Sequence, residues 1–250
     1  MNTKQYIIKL GFGLLFCFIS VSVESVTVTS TRLFLSPDVQ STSMSVINSD
    51  DEPLTCKIEV RNLDVKNGKL TLTEGDGINN PSPVNMVRIA PSRFNLDFRQ
   101  VQEFKAIYRR KPGVEDGEYI GAIAVICKGQ AEESTKKVEI KPTLVQNIPL
   151  IVRTKKLDSQ VTFSNVRKVG TKVFAEMLVT GERSVSGDVT IGYQESGGII
   201  KELKKVSHYP GEKPKQLELE LKSDTDSPLK IMFNELKESG QIKSETPVGG

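Results

Sequence analysis

Hydrophobic and polar positions alternate along most of this chain. The alternation runs longest between Lys136 and Arg153, in KKVEIKPTLVQNIPLIVR. Val138, Ile140, Leu144, Ile148, Leu150 and Val152 share one parity, so a β-strand would carry them on one face. At roughly 3.3 Å per residue the stretch would reach about 60 Å, against about 17–20 Å for an ordinary strand. Two readings fit. Either two ordinary strands meet at Pro142 or Pro149, or one strand has its first half on a sheet edge, where a missing proline N–H can face away from the ladder.

Shorter alternating segments precede it. VTVTSTRLFLSP reads as a strand with Arg32 near its middle, and TSMSVIN as a second. PLTCKIEVRN puts Leu54, Cys56, Ile58 and Val60 on one face. The polar stretch Asp64 to Pro83 is a hairpin or loop, VNMVRIAPSRFNLDF is a strand broken at Ala90-Pro91, and VQEFKAIYRR is a further strand. EYIGAIAVIC is apolar enough to be central. About seven strands and no helical period predict an antiparallel, immunoglobulin-like sandwich over residues 26–153. A second series, from VTFSNVRKV to PLKIMFNEL, predicts a smaller sandwich over 154–238, followed by a polar, disordered tail at 239–250. The fold class is therefore all-β, with two sandwich domains.

The first 25 residues fall outside this pattern. Lys4 and Lys9 precede the apolar GFGLLFCFIS, and small residues follow, which describes a secretory leader cut after Ser22 or Ser25. The run is short for a membrane span, and Phe16 before Cys17 is not the small residue of a lipoprotein signal. Export leaves Cys56 and Cys127 as the only thiols and permits a disulfide. Cys56 is in phase with Ile58 and Val60, and Cys127 with Ile123 and Val125. Both sit on apolar faces, either bridged or as two buried free thiols.

Charge and motifs exclude more than they suggest. Charged residues make up 26% and the net charge is +3, and no basic block is interleaved with aromatics, so nucleic acid is not an expected partner. His208 is the only histidine; beside Tyr209-Pro210 it reads as a surface turn residue. No spaced Cys/His set suggests a metal, and no nucleophile elbow suggests an esterase-type enzyme. The expectation is a non-enzyme without cofactor, metal or small-molecule substrate.

Several segments together resemble one family. TSTRLFL, SMSVINSDDEPLTCKIEV, RIAPSRFNL, VQEFKAIYRR, DGEYIGAIAV and IPLIVR, in that order and spacing, are similar to the PapD-like periplasmic chaperones of the chaperone–usher pathway. VTGERSVSGDVTIGY resembles the second-domain hairpin of the archaic-type branch. The resemblance implies two immunoglobulin-like domains in a boomerang arrangement. It also implies periplasmic location, pilus or fimbrial subunits as partners, and delivery to an outer-membrane usher. The free edge could be self-capped in a dimer.

By position the resemblance makes Val138, Ile140 and Leu144 the donor side chains of a strand lent to the subunit, and Arg32 an anchor for the subunit's terminal carboxylate. The same alternation would also suit burial in this chain's own core. Glu118 and Arg153 match an ion pair near the cleft whose acidic partner in the second domain has no match here. If exposed, such a pair would contribute about 0–1 kcal/mol. Two departures stand out: Pro149 replaces the family's second anchoring base, a lysine, and Pro142 removes a ladder donor inside the donor run. Nor is the Cys56–Cys127 pairing that of the family's disulfide-bearing branch. The rival expectation is a binding or structural module of the same fold that holds no subunit.

Overall fold

The computed structural model describes residues 26–49, 51–66, 69–73, 82–130 and 142–249. The expected leader, and with it Lys4, Lys9 and Cys17, lies outside the described residues. So do Val138 and Ile140. What is described is all-β, with seventeen strands. The first ten are β1 (Val26–Val28), β2 (Leu33–Leu35), β3 (Ser41–Asn48), β4 (Leu54–Lys66), β5 (Lys69–Leu72), β6 (Val87–Ala90), β7 (Arg93–Leu96), β8 (Val101–Tyr108), β9 (Glu118–Gly129) and β10 (Thr143–Arg153). They form two sheets, β1-β3-β8-β6 and β2-β10-β9-β4-β5, with β7 also on β4.

Ten strands replace the expected seven because two segments divide between the sheets and a hairpin adds β5. The first expected strand splits into β1, which joins β3, and β2, which runs parallel to β10. The break at Ala90-Pro91 separates β6, on β8, from β7, on β4. The polar stretch after Asn62 is a hairpin. There β4 continues to Lys66 and β5 returns beside it.

Between these sheets lies the first core, built from the predicted parities. Leu54, Cys56 and Ile58 of β4 meet Ile123, Val125 and Cys127 of β9 and Ile148, Leu150 and Val152 of β10. Strand β9 is central and is buried on both faces. Its other parity, Ile120 and Ala122, joins Leu63, Ile151 and Tyr209 in a second cluster on the outer side of the sheet. That burial explains why EYIGAIAVIC shows no clean alternation: strands covered on both faces read as continuous apolar runs.

The remaining strands are β11 (Ser159–Val169), β12 (Lys172–Gly181), β13 (Val185–Tyr193), β14 (Ile199–His208), β15 (Lys215–Glu220), β16 (Leu229–Glu235) and β17 (Lys243–Pro247). They form the sheets β11-β12-β15 and β14-β13-β16-β17 around a separate core. The expected disordered tail is corrected: Lys243–Pro247 is a strand paired with β16. Its exposed alternation hid it from a hydrophobicity reading, since only Ile242 and Val248 at its ends pack against the core.

Cys56 and Cys127 form a disulfide. They stand directly opposite in the β4–β9 ladder, so the bridge joins neighbours within one sheet rather than spanning the sandwich. It closes a sequence separation of 71 residues. We predict that reduction lowers stability by about 2–4 kcal/mol. Urea unfolding with and without reductant tests this, and coincident curves would refute it.

Candidate functional site

The site begins with the backbone of β10. Thr154 N–H donates to Gly117 O at 3.1 Å, in register with the β9 ladder. Backbone groups of alternate residues point to opposite sides of an antiparallel strand. Even-numbered residues of β10 therefore bond to β9, and odd-numbered residues turn outward. On that outward side β2 pairs only with Leu150–Val152. Among the described residues no strand pairs with the outward side of Thr143–Pro149.

This geometry accounts for both prolines. Pro149 is odd, so its missing N–H faces outward and the β9 ladder loses nothing. Pro142 is even, and its missing N–H would have faced Gly129, so the ladder stops at Thr143. Pro142 therefore takes no donor from the outward edge, contrary to the concern raised by its sequence position.

Side chains alternate too. Leu144, of the donor parity, is half-buried against the first core, and Ile148 beyond it is buried. Gln146 between them donates its amide to Val26 O at 2.5 Å, which ties β1 to the strand. Val145 on the other face is exposed.

Toward its base the odd face of β10 joins a buried apolar contact between the domains. Ile151 packs with Ile120, Ala122 and Leu63 against Tyr209, flanked by Phe34, Val65 and Leu70. Arg32 shares the parity of Phe34 and reaches across to the second domain. Its Nη2 donates to Ser207 Oγ at 2.8 Å and to Tyr209 Oη at 3.1 Å, and its guanidinium lies 5.8 Å from the Tyr209 ring centroid. Its Nη1 is buried and has no hydrogen-bond partner among the described residues, an arrangement that ordinarily costs about 1–3 kcal/mol. Burial pushes the Tyr209 phenol's pKa up, opposed by Arg32, so the hydroxyl stays a neutral partner.

Glu118 and Arg153 do pair, at 2.9 Å, but not on the surface: their side chains are 3% and 12% exposed. The expected 0–1 kcal/mol for an exposed pair does not apply. The missing acidic partner is replaced by second-domain backbone. Glu118 Oε1 accepts from Ser184 N at 2.7 Å, and Arg153 donates to Ser184 O at 3.0 Å and to Ser239 O. A second buried pair, Arg183–Glu235, stands behind these peptides. Arg183 donates to Leu157 O at 3.0 Å and to Glu235 Oε2 at 3.0 Å. Sequence reasoning missed Ser184, Arg183, Glu235, Ser207 and Tyr209, since contacts between domains leave no period in either.

His208 is corrected from a surface turn residue to a fully buried one at the end of β14. Its Nδ1 lies 3.1 Å from Tyr209 O, and Glu212 Oε2 is 3.7 Å away. Burial holds its pKa below the ordinary 6.5, with Glu212 pulling the other way. Among the described residues no Cys/His/Asp/Glu group could hold a metal.

No family model matches the chain, and no curated protein matches it. Solved structures are similar at low identity. The YadV chaperone is 14% identical with a TM-score of 0.48, covering 89% of this chain and 99% of that one. The structure of the Salmonella enterica SafA pilin in complex with the SafB chaperone gives 14%, 0.49, 92% and 99% in the same order. For the CsuC–CsuE chaperone–tip adhesion subunit complex, from the archaic chaperone–usher Csu pili of Acinetobacter baumannii, the values are 10%, 0.45, 90% and 98%. The strand edge and the domain boundary, not these likenesses, carry the functional argument.

Two outcomes are predicted. Glu118→Ala leaves Arg153 buried beside backbone carbonyls alone and should cost about 3 kcal/mol; a loss below about 1 kcal/mol in urea unfolding would contradict a buried latch. The unfolded chain binds the His208 proton at higher pH than the folded chain does. The stability contributed by His208 is therefore present above about pH 6.5 and is lost as pH falls toward the folded value. His208→Asn should flatten the stability profile between about pH 7 and 5.5; an unchanged slope would assign it to other groups.

Proposed function

We propose that this protein is a periplasmic chaperone that caps pilus or related surface subunits by lending them the free edge of β10, and hands them to an outer-membrane usher. One observation carries the reading: Thr143–Pro149 is an ordered strand whose outward backbone groups meet no strand among the described residues. A subunit lacking one strand of its own sandwich exposes an apolar groove and two unpaired edges. A lent strand supplies the ladder bonds and fills the groove, and chaperone–pilin pairing is a known case of such strand addition.

Val138, Ile140 and Leu144 are the proposed donor side chains. Leu144 is half-buried against its own domain and keeps part of its surface for a partner. Arg32, with its buried, unsatisfied Nη1 at the domain boundary, suits a carboxylate at the end of the subunit chain. The reading requires no cofactor and no catalysis. It takes residues 1–25 as the leader that directs export, and it allows the same edge to be capped by a second copy when no subunit is bound.

Backbone alternation supplies the test. The tagged protein is co-expressed with subunits encoded beside it and recovered from periplasmic extract. Val145→Pro removes an outward N–H and should leave stability within about 1 kcal/mol, as Pro149 already does at the same parity, while subunit capture is lost. Leu144→Pro removes a bond to β9 and part of the core contact, so it should destabilise the free protein by about 3 kcal/mol. Undiminished capture by the Val145→Pro variant would overturn strand lending. No capture by the unaltered protein would favour a structural module of the same fold.

A further inference from the structure

A strand laid on the free edge of β10 has more than one register open to it. The outward backbone groups belong to Thr143, Val145 and Asn147, and Pro149 ends the row without an N–H. They repeat every two residues, so a strand slipped by two residues, about 6.6 Å, meets the same ladder. A slip of one residue is different, because it turns every side chain to the other face. A slip of two keeps the face, and Leu144 and Ile148 offer similar aliphatic side chains on it. Only a side chain unlike its neighbours in that row can tell these registers apart.

Gln146 is such a side chain. Among the described residues it is the one polar side chain on the even parity of β10, where Leu144, Ile148, Leu150 and Val152 are aliphatic. It stands opposite Val125 in the β9 ladder and so belongs to the face that meets the first core. Its Nε2 reaches the other sheet and donates to Val26 O at 2.5 Å. Its Oε1 is buried and meets no donor among the described residues. The tie to β1 thus accounts for one end of the amide only. A polar group in an apolar row weakens the packing around it. Setting register is the best-attested role of such a residue, as with the single buried Asn of paired helices.

We propose that Gln146 is a specificity-determining residue: its Oε1 accepts a hydrogen bond from a hydroxyl or side-chain amide in the groove of the captured subunit, and this contact selects one register of strand addition. The inference rests on the subunit-capping reading and deepens it, since a subunit lacking that donor would be held less well. In the selected register the carbonyl gains its missing partner. Slipped by two residues in either direction, it faces an apolar site, while the groove's donor faces Leu144 or Ile148. Two polar groups are then left unmatched, which is costlier than losing one weak contact. Val26 O already holds the other end of the amide. The last torsion of a glutamine is soft, so a small turn brings the carbonyl to an incoming donor.

The test is NMR of complexes recovered from periplasmic extract, after co-expression of the isotopically labelled protein with subunits encoded beside it. Gln146→Met keeps the length of the side chain and removes the amide. The Val145 and Asn147 N–H groups face the partner, so each should give one resonance in the unaltered complex. In the Gln146→Met complex each should give two or more, the favoured register having lost about a tenfold preference, the scale of one hydrogen bond left unmade. In the unaltered protein the side-chain carbonyl carbon of Gln146 should move downfield on capture, as a carbonyl does when it gains a donor. That second measurement needs no variant and stands even where Gln146→Met folds poorly.

A Gln146→Met complex with a single register would overturn this inference and leave subunit capping standing, with Gln146 reduced to its tie with Val26. A Gln146 carbonyl resonance unmoved by capture would do the same. An unaltered protein that captures no subunit would remove the capping reading and this inference together.

Discussion

Everything in the first domain depends on the alternation of backbone direction along β10. Its even residues bond to β9 throughout Thr143–Arg153. Its odd residues bond to β2 at Leu150–Val152 and, among the described residues, pair with no other strand. At the base both faces are covered, with Leu150 and Val152 in one cluster and Ile151 in another, all fully buried. Burying such side chains contributes about 1.5–3 kcal/mol each. The strand is therefore clamped at its base and ordered by β9 along its length. An edge held straight in this way has already met part of the entropy cost that an incoming strand would otherwise have to overcome.

The same face of the sheet that buries Ile151 positions the second domain. Its apolar cluster with Tyr209 is bordered on opposite sides by two arginines held very differently. Arg153 is charge-matched by Glu118 and stacks over Phe34 at 5.7 Å. Arg32 meets only hydroxyls. A buried ion pair is weak evidence for stability, because desolvation offsets much of its attraction. What the Glu118–Arg153 pair does provide is direction. Ser184 and Ser239 must present their backbone groups at one place, and Arg183–Glu235 holds the adjoining chain. Arg153 thus works on the domain boundary, whereas Arg32 keeps a buried donor with no partner among the described residues.

Much of this was legible in the sequence because sandwich strands covered on one face write their burial as a period of two. The shared face of Ile148, Leu150 and Val152, the placement of Cys56 and Cys127 on apolar faces, and the division into two sandwiches all follow from that period. What was hidden has a common cause: function or packing there depends on backbone direction or on another domain. Pro142 looked damaging until its N–H was seen to face β9. His208 looked exposed because His-Tyr-Pro resembles a turn, yet it lies fully buried at the end of β14. Strand β17 is polar on its exposed face and pairs through its backbone, which no side-chain pattern records.

Edge strands elsewhere in the molecule show what an edge not meant for pairing looks like. Strand β14 carries Lys201, Glu202, Lys204 and Lys205; β17 carries Lys243 and Glu245; β15 carries Lys215, Glu218 and Glu220. Strand β11 has Arg167 and Lys168, β5 has Lys69, and β6 has Arg88. The uncharged edges β1 and β2 are three residues each, too short to template a ladder. Charge and brevity are the ordinary defences against unwanted strand addition. The free part of β10, Thr143–Pro149, carries no charge and lies in an eleven-residue strand; Pro149, with no N–H on the outward side, is its one such defence. Among the described residues no strand covers this edge, and a partner strand would offset the risk of aggregation that an open edge carries.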